Sequence, residues 1–197
     1  MAVSAQQVKD LRDQTGAGMM DCKRALEEAG GDLEKARMVL RERGLAKAVA
    51  KGSREATEGA VVSYVHHDGR VGVLVELACE TDFVARNAEF LDLARGIAMH
   101  VAFANPRVAS PEQLPPEVVE TERQLYGQQA ADKPEKVRDR MVEGKLEKFY
   151  EQVCLLRQPY VRDDSRSVSD VVKDAIAKLG ENIEVRRFVR IELGQVS

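Results

Sequence analysis

The stretch "VGVLVELACETDFVARN", residues 71–87, changes character halfway along. Its first nine residues carry a single charge, Glu76, and are dominated by Val and Leu, the pattern of a buried β-strand. A chain leaving such a strand normally turns polar, yet Thr81 and Asp82 are followed at once by Phe83 and Val84. Thr81 or Asp82 can cap a helix that begins there. Phe83 stands seven residues before Phe90, so one continuous helix puts both rings on nearly the same face. The periodicity leaves two readings open. Either a capped helix packs Phe83 into the core, or a rigid seam between strand and helix presents Asp82 and Phe83 to a partner.

Working outward, "AVVSYVHH" (60–67) and "RVGVLVELA" (70–78) flank Asp68–Gly69, a strong signal for a tight β-hairpin. Downstream, the spacing predicts a helix from about Asp82 to Ala104, with Phe90, Leu91, Ala94, Ile97, Ala98 and Val101 inward, ended by Pro106. "SPEQLPPE" (110–117) leads into a helical pattern through Tyr126. Pro134 suits the first position of a helix in which Met141, Val142, Phe149 and Val153 recur. "QPYVRDDSRS" (158–167) reads as loop, and "SVSDVVKDAIAKLG" (167–180) as an amphipathic helix stopped by Gly180. "IEVRRFVRIEL" (183–193) is a strand whose period of two puts Ile183, Val185, Val189, Ile191 and Leu193 on one face.

Residues 1–44 read differently, as three short helices. Ser4 is a good N-cap, with Val8 and Leu11 on one stripe; "TGAG" (15–18) breaks the pattern. Met19, Cys22, Leu26 and Ala29 share a face until Gly30–Gly31. Asp32 caps a third helix, with Leu33, Ala36, Val39 and Leu40 inward, that is expected to stop at Gly44. Residues 45–58 read as a partly helical linker. The expected fold is therefore α+β: a three-helix domain (1–44), the linker (45–58), and a core domain (59–197) of antiparallel sheet plus helices.

The 197 residues include 30 basic and 33 acidic side chains, a net charge of −3 that offers no electrostatic reason for nucleic-acid binding. The start "MAVSAQQVKD" does not resemble a signal peptide, and no apolar run approaches the length of a membrane span. Cys22, Cys79 and Cys154 are widely spaced, which favours reduced thiols in a cytoplasmic protein.

Catalytic constellations are weak. His66 and His67 are adjacent, so on a strand they point to opposite faces, and His100 lies elsewhere. The acids Glu80 and Asp82 near Cys79 raise a thiol pKa and make a poor nucleophile. Asp163–Asp164 suits a solvated turn. No phosphate-binding loop, dinucleotide fingerprint or serine-hydrolase elbow occurs. No enzyme activity, metal or cofactor is expected. Met20 shares the charged side of its helix with Lys23, Arg24 and Glu27, a position that is either incidental or a soft protein contact.

Two segments, "TGAGMMDCKRALEEAGGDLEKA" (15–36) and "ELACETDFVARNAEF" (76–90), closely resemble the signature segments of the bacterial elongation factor Ts family. Its members are guanine-nucleotide exchange factors of elongation factor Tu. "HHDGRVGVLVE", "GIAMHVAFANPR", "QPYV" and "ENIEVRRFVRIELG" are similar to that family too. The resemblance implies that the three helices form a ubiquitin-associated-like domain that docks on the G domain of elongation factor Tu through Leu11, Met19, Met20 and Lys23. It implies that Asp82 and Phe83, framed by Thr81 and Val84, intrude beside the GTPase's Mg²⁺ site and disturb its phosphate loop. Longer members carry two related core halves, a helical excursion and a further C-terminal helix, whereas this chain has one core half. Short forms are expected to pair, giving a homodimer that binds two molecules of elongation factor Tu. Two other classes stay in view: an adaptor without exchange activity, and an enzyme using His66, Cys79 and Asp82.

Overall fold

A computed structural model describes residues 3–195. Three helices open the chain: α1 (Ala5–Thr15), α2 (Met19–Glu28) and α3 (Leu33–Lys51). Ser4 caps α1 in a full capping box with Gln7, and Gly16 closes it in the left-handed conformation at φ 66°. Val8, Leu11, Cys22, Ala25, Leu26 and Ala36 form a small core between the three. Ion pairs run across its rim: Lys47 reaches Asp21 at 3.1 Å, and Arg43 pairs with Glu28. The Lys47 ammonium is the main cause holding the Asp21 carboxyl below its ordinary range.

The third helix does not stop at Gly44; it runs on to Lys51 and takes up the first half of the expected linker. Gly44 serves close packing instead. A Cβ there would lie 3.1 Å from the Cβ of Ala177 on a later helix, so a small residue, not a terminator, is what the position demands.

Strands β1 (Glu58–Val65) and β2 (Val71–Cys79) are joined by a five-residue turn, longer than the tight hairpin the Asp–Gly pair suggests. Gly69 takes φ 69°, and Asp68 accepts the Arg70 N–H at 2.9 Å. His66 and His67 therefore sit in this turn and not on a strand, with ring centroids 4.2 Å apart. The short α4 (Asp82–Ala85) follows, then α5 (Ala88–Ala104), α6 (Pro116–Gln129) and α7 (Glu135–Val153). Helices α6 and α7 pack together over Leu114, Phe149, Val153 and Cys154. The segment 158–167, expected as loop, instead forms two short antiparallel strands, β3 (Pro159–Tyr160) and β4 (Asp163–Ser167), with Tyr160 opposite Asp163. Helix α8 (Val168–Leu179) and strand β5 (Ile183–Glu192) close the chain.

The main sheet has the order β1-β2-β5. Its centre is β2, which explains why that strand is the most apolar. Leu193 N–H donates to the Arg70 carbonyl at 2.9 Å and Arg187 pairs with Glu76 at 2.6 Å, so β5 runs antiparallel to β2. The apolar stripe expected along β5 is split. Ile183 and Val185 are buried, but Arg186 and Arg187 are both exposed, and beyond them Val189 and Ile191 face solvent. The buried-exposed alternation shifts by one residue at the arginine pair, sending the second half of the stripe outward. Val61, Val65 and Leu74 are exposed on β1 and β2 as well.

Contacts divide the chain into two compact units. One holds the chain up to Gly59 together with Ala78–Phe90 and Asp170–Glu184; the other holds Ala60–Leu77, Leu91–Ser169 and the chain from Val185 on. The three helices thus share their unit with the 80–87 seam and with most of α8. In that unit a Cβ on Gly16 would lie 2.6 Å from Cε of Lys178.

Candidate functional site

At the seam the chain leaves β2, makes a capped turn and restarts. Thr81 is the N-cap of α4, and its Oγ accepts the Val84 N–H at 3.4 Å. Asp82 occupies the first helical position, where the helix dipole favours an acid, and pairs with Arg86 at 3.1 Å. The single helix expected from Asp82 to Ala104 is interrupted at Arg86–Asn87. The Asn87 carboxamide oxygen accepts the Glu89 N–H at 2.8 Å and starts α5 as a fresh helix.

That interruption keeps Phe83 out of the core, against the reading that packs it inside. Its side chain is 82% exposed, whereas Phe90 is fully buried. Ala85 is the buried residue of α4, and Val84 is partly covered. The turn therefore carries its largest apolar side chain outward, on a backbone fixed by caps at both ends.

The base of the turn is held from below. One oxygen of the Glu181 carboxylate accepts both the Glu80 and Thr81 N–H groups, at 3.1 and 3.0 Å. Its other oxygen accepts the Thr81 hydroxyl at 2.6 Å. The Cys79 thiol donates to the Thr81 carbonyl at 3.2 Å. Burial first, and the Glu181 carboxylate second, push that thiol up to about 11, which removes it as a nucleophile near neutral pH. Sequence reasoning did not single out Glu181. Its only signal was its place directly after the Gly180 helix stop, and local spacing does not link it to Thr81, a hundred residues earlier.

Of the expected docking residues, Met19 and Met20 are exposed at the start of α2, Met20 at 62%, and Lys23 is exposed one turn later beside Glu27 at 3.8 Å. Leu11 differs from the other three: it has no exposed surface, being one of the fully buried side chains of the three-helix core, from where it supports the face above it. Among the described residues no three His, Cys, Asp or Glu side chains come close enough to hold a metal ion. No helix among them is long and apolar enough to cross a membrane.

The sequence as a whole is similar to known proteins. The family model described as "Elongation factor TS" matches residues 32–195, from the cap of α3 onward. The chain is 53% identical over 197 residues to elongation factor Ts of Fervidobacterium nodosum, covering 99% of this chain and 100% of that protein. It is 55% identical over 195 residues to elongation factor Ts of Thermosipho melanesiensis, covering 98% of this chain and all of that protein. It is also 55% identical to elongation factor Ts of Carboxydothermus hydrogenoformans, covering 98% of this chain and 90% of that protein. The chain belongs to the elongation factor Ts family of translation elongation factors.

Proposed function

We propose that this protein is a guanine-nucleotide exchange factor that binds elongation factor Tu·GDP and drives Phe83, with Asp82 beside it, against the Mg²⁺ and phosphate site of the GTPase. The observation that carries this reading is the 82% exposure of Phe83 on a capped turn. A large apolar ring left in water contributes nothing to its own fold, and its burial is available to a partner. Thr81 and Val84 frame the pair. Met19, Met20 and Lys23 form the G-domain contact of a ubiquitin-associated-like module, a docking face of soft and charged side chains.

The chemistry is linkage and not catalysis of a covalent step. A factor that prefers the nucleotide-free GTPase weakens GDP binding by the same ratio. It releases GDP and GTP alike, so a GTP excess sets the direction. A thousandfold faster release requires about 4 kcal/mol of barrier lowering. Burying one Phe supplies roughly 1.5–3 kcal/mol. The remainder comes from the docking module and the other contacts of the complex. Acting on this GTPase is work for a cytoplasmic protein, and the net charge of −3 offers no electrostatic reason for a nucleic-acid partner.

The same reading extends to a homodimer that binds two molecules of elongation factor Tu. The outer face of the β1-β2-β5 sheet exposes Val61, Val65, Leu74, Val189 and Ile191, an aliphatic patch suited to a second copy. Release of fluorescent GDP from elongation factor Tu tests exchange. Acceleration by this protein supports it, binding without acceleration leaves an adaptor, and neither leaves both readings without support. Sedimentation at micromolar concentration tests the pair, and a monomeric mass counts against it.

A further inference from the structure

Glu181 is part of a crossed clamp. While its carboxylate holds the backbone N–H groups of Glu80 and Thr81, the Glu80 carboxylate accepts the Asn182 N–H at 2.7 Å. Each of the two turns thus grips the backbone of the other through an adjacent acid. The end of the first helical module secures the arrangement. Arg54 pairs with Glu80 at 3.5 Å, Asn182 Nδ2 donates to the Arg54 carbonyl at 2.7 Å, and Lys51 Nζ donates to the Gly180 carbonyl at 2.5 Å. Both acids are only partly buried, so the hydrophobic core does not depend on them.

We propose that Glu181 is a positioning residue for nucleotide exchange, fixing the backbone from which Phe83 projects; this rests on the reading of Phe83 as the intruding group. A ring that must displace side chains of a folded GTPase is pushed back with equal force. On a compliant loop, the loop would yield first. Glu181 accepts two backbone N–H groups at ordinary length and the Thr81 hydroxyl at a short 2.6 Å through one carboxylate, and three charge-assisted bonds converging on one group stiffen a turn. The stiffness lies directly before the projecting residue, and an interaction surface held in its working geometry loses less on binding. The clamp also joins the turn to Lys51, the last residue of α3, and to Arg54 just beyond it.

The test compares Glu181→Ala, Glu181→Gln, Phe83→Ala and the Phe83→Ala/Glu181→Ala pair, using elongation factor Tu loaded with fluorescent GDP. The expected result is a maximal release rate lowered about tenfold or more by Glu181→Ala, the scale of one charge-assisted hydrogen bond. The half-saturating concentration should move by less than about threefold, because docking is elsewhere. Glu181→Gln keeps one acceptor oxygen and should recover part of the rate; should the alanine variant not fold, this variant carries the test. In the Phe83→Ala background, removing the Glu181 carboxylate should change the rate by less than about twofold, since its action runs through the ring. A full rate for Glu181→Ala, or an equal loss with and without Phe83, overturns the proposal while leaving the role of Phe83 intact. A full rate for Phe83→Ala overturns the underlying reading and the proposal with it.

Discussion

Phe83 and Phe90 are the same residue type on neighbouring helices, and they have opposite fates. Phe90 is fully buried in α5; Phe83 stands almost entirely in solvent on α4. A helix repeat would have placed them together. What separates them is two residues, Arg86 and Asn87, at which one helix ends and another begins. The comparison teaches that a fold can keep an aromatic ring out of its core at little cost, provided that the backbone beneath it is capped and clamped. Burial makes Phe90 part of what holds the molecule together, and exposure leaves Phe83 available for the role proposed above.

The comparison can be broken most forcefully at its buried end. Phe90→Ala should lower unfolding stability by about 3–5 kcal/mol in urea denaturation, the cost of truncating a fully buried aromatic. A loss below about 1 kcal/mol would show that the ring is not part of the core. A second, smaller effect is expected further along α5. A Cβ at Gly96 would lie 2.1 Å from the Tyr160 hydroxyl and 3.3 Å from Arg162 Nη1, so Gly96→Ala must shift a buried ring. Thermal unfolding should report about 1–3 kcal/mol of destabilisation, and an unchanged midpoint would contradict the packing.

Smaller again is a pH effect from the same helix. His100 is buried; its Nδ1 accepts the Val161 N–H at 3.1 Å, so its proton lies on Nε2 and is given to Gln158 Oε1 at 3.0 Å. Burial is the main cause that lowers its pKa from the ordinary 6.5. The unfolded chain therefore takes up the proton first as pH falls, so the contribution of the neutral ring is complete above about 6.5 and lost progressively below it. Stability measured from pH 7 to 5 should decline, and His100→Gln should flatten that decline; identical slopes in the two proteins would remove His100 as its source. At the exposed end the expected effect on stability vanishes. Phe83→Ala should change unfolding free energy by no more than about 0.5 kcal/mol, and a core-sized loss would make Phe83 a structural residue after all.

Much of this was legible in the sequence because it depends on local spacing. The capped start of α1 follows from Ser4, and most inward residues of α5 and α7 and the apolar central strand follow from periods of 3.6 and 2, although Leu91 and Met141 are only partly buried and the spacing passed over Leu93 and Leu146. What the spacing could not supply depends on how the elements are placed in space. Gly44 reads as a terminator until Ala177 is placed against it. The β5 stripe reads as one face until Arg186 and Arg187 shift its alternation. Leu11 carries no mark that distinguishes a core position from a docking one, and its complete burial settles that it belongs to the core. At the site, periodicity left Phe83 undecided, and the clamp by Glu181 was invisible because its partners are a hundred residues away.

The most direct measurement follows Phe83→Ala in two assays at once: GDP release from elongation factor Tu at saturating protein, and the affinity of the complex without nucleotide. A ring that acts as an intruding group predicts release slowed about tenfold or more while affinity changes by only a few-fold. Equal losses in both would make Phe83 an ordinary anchor and contradict the account.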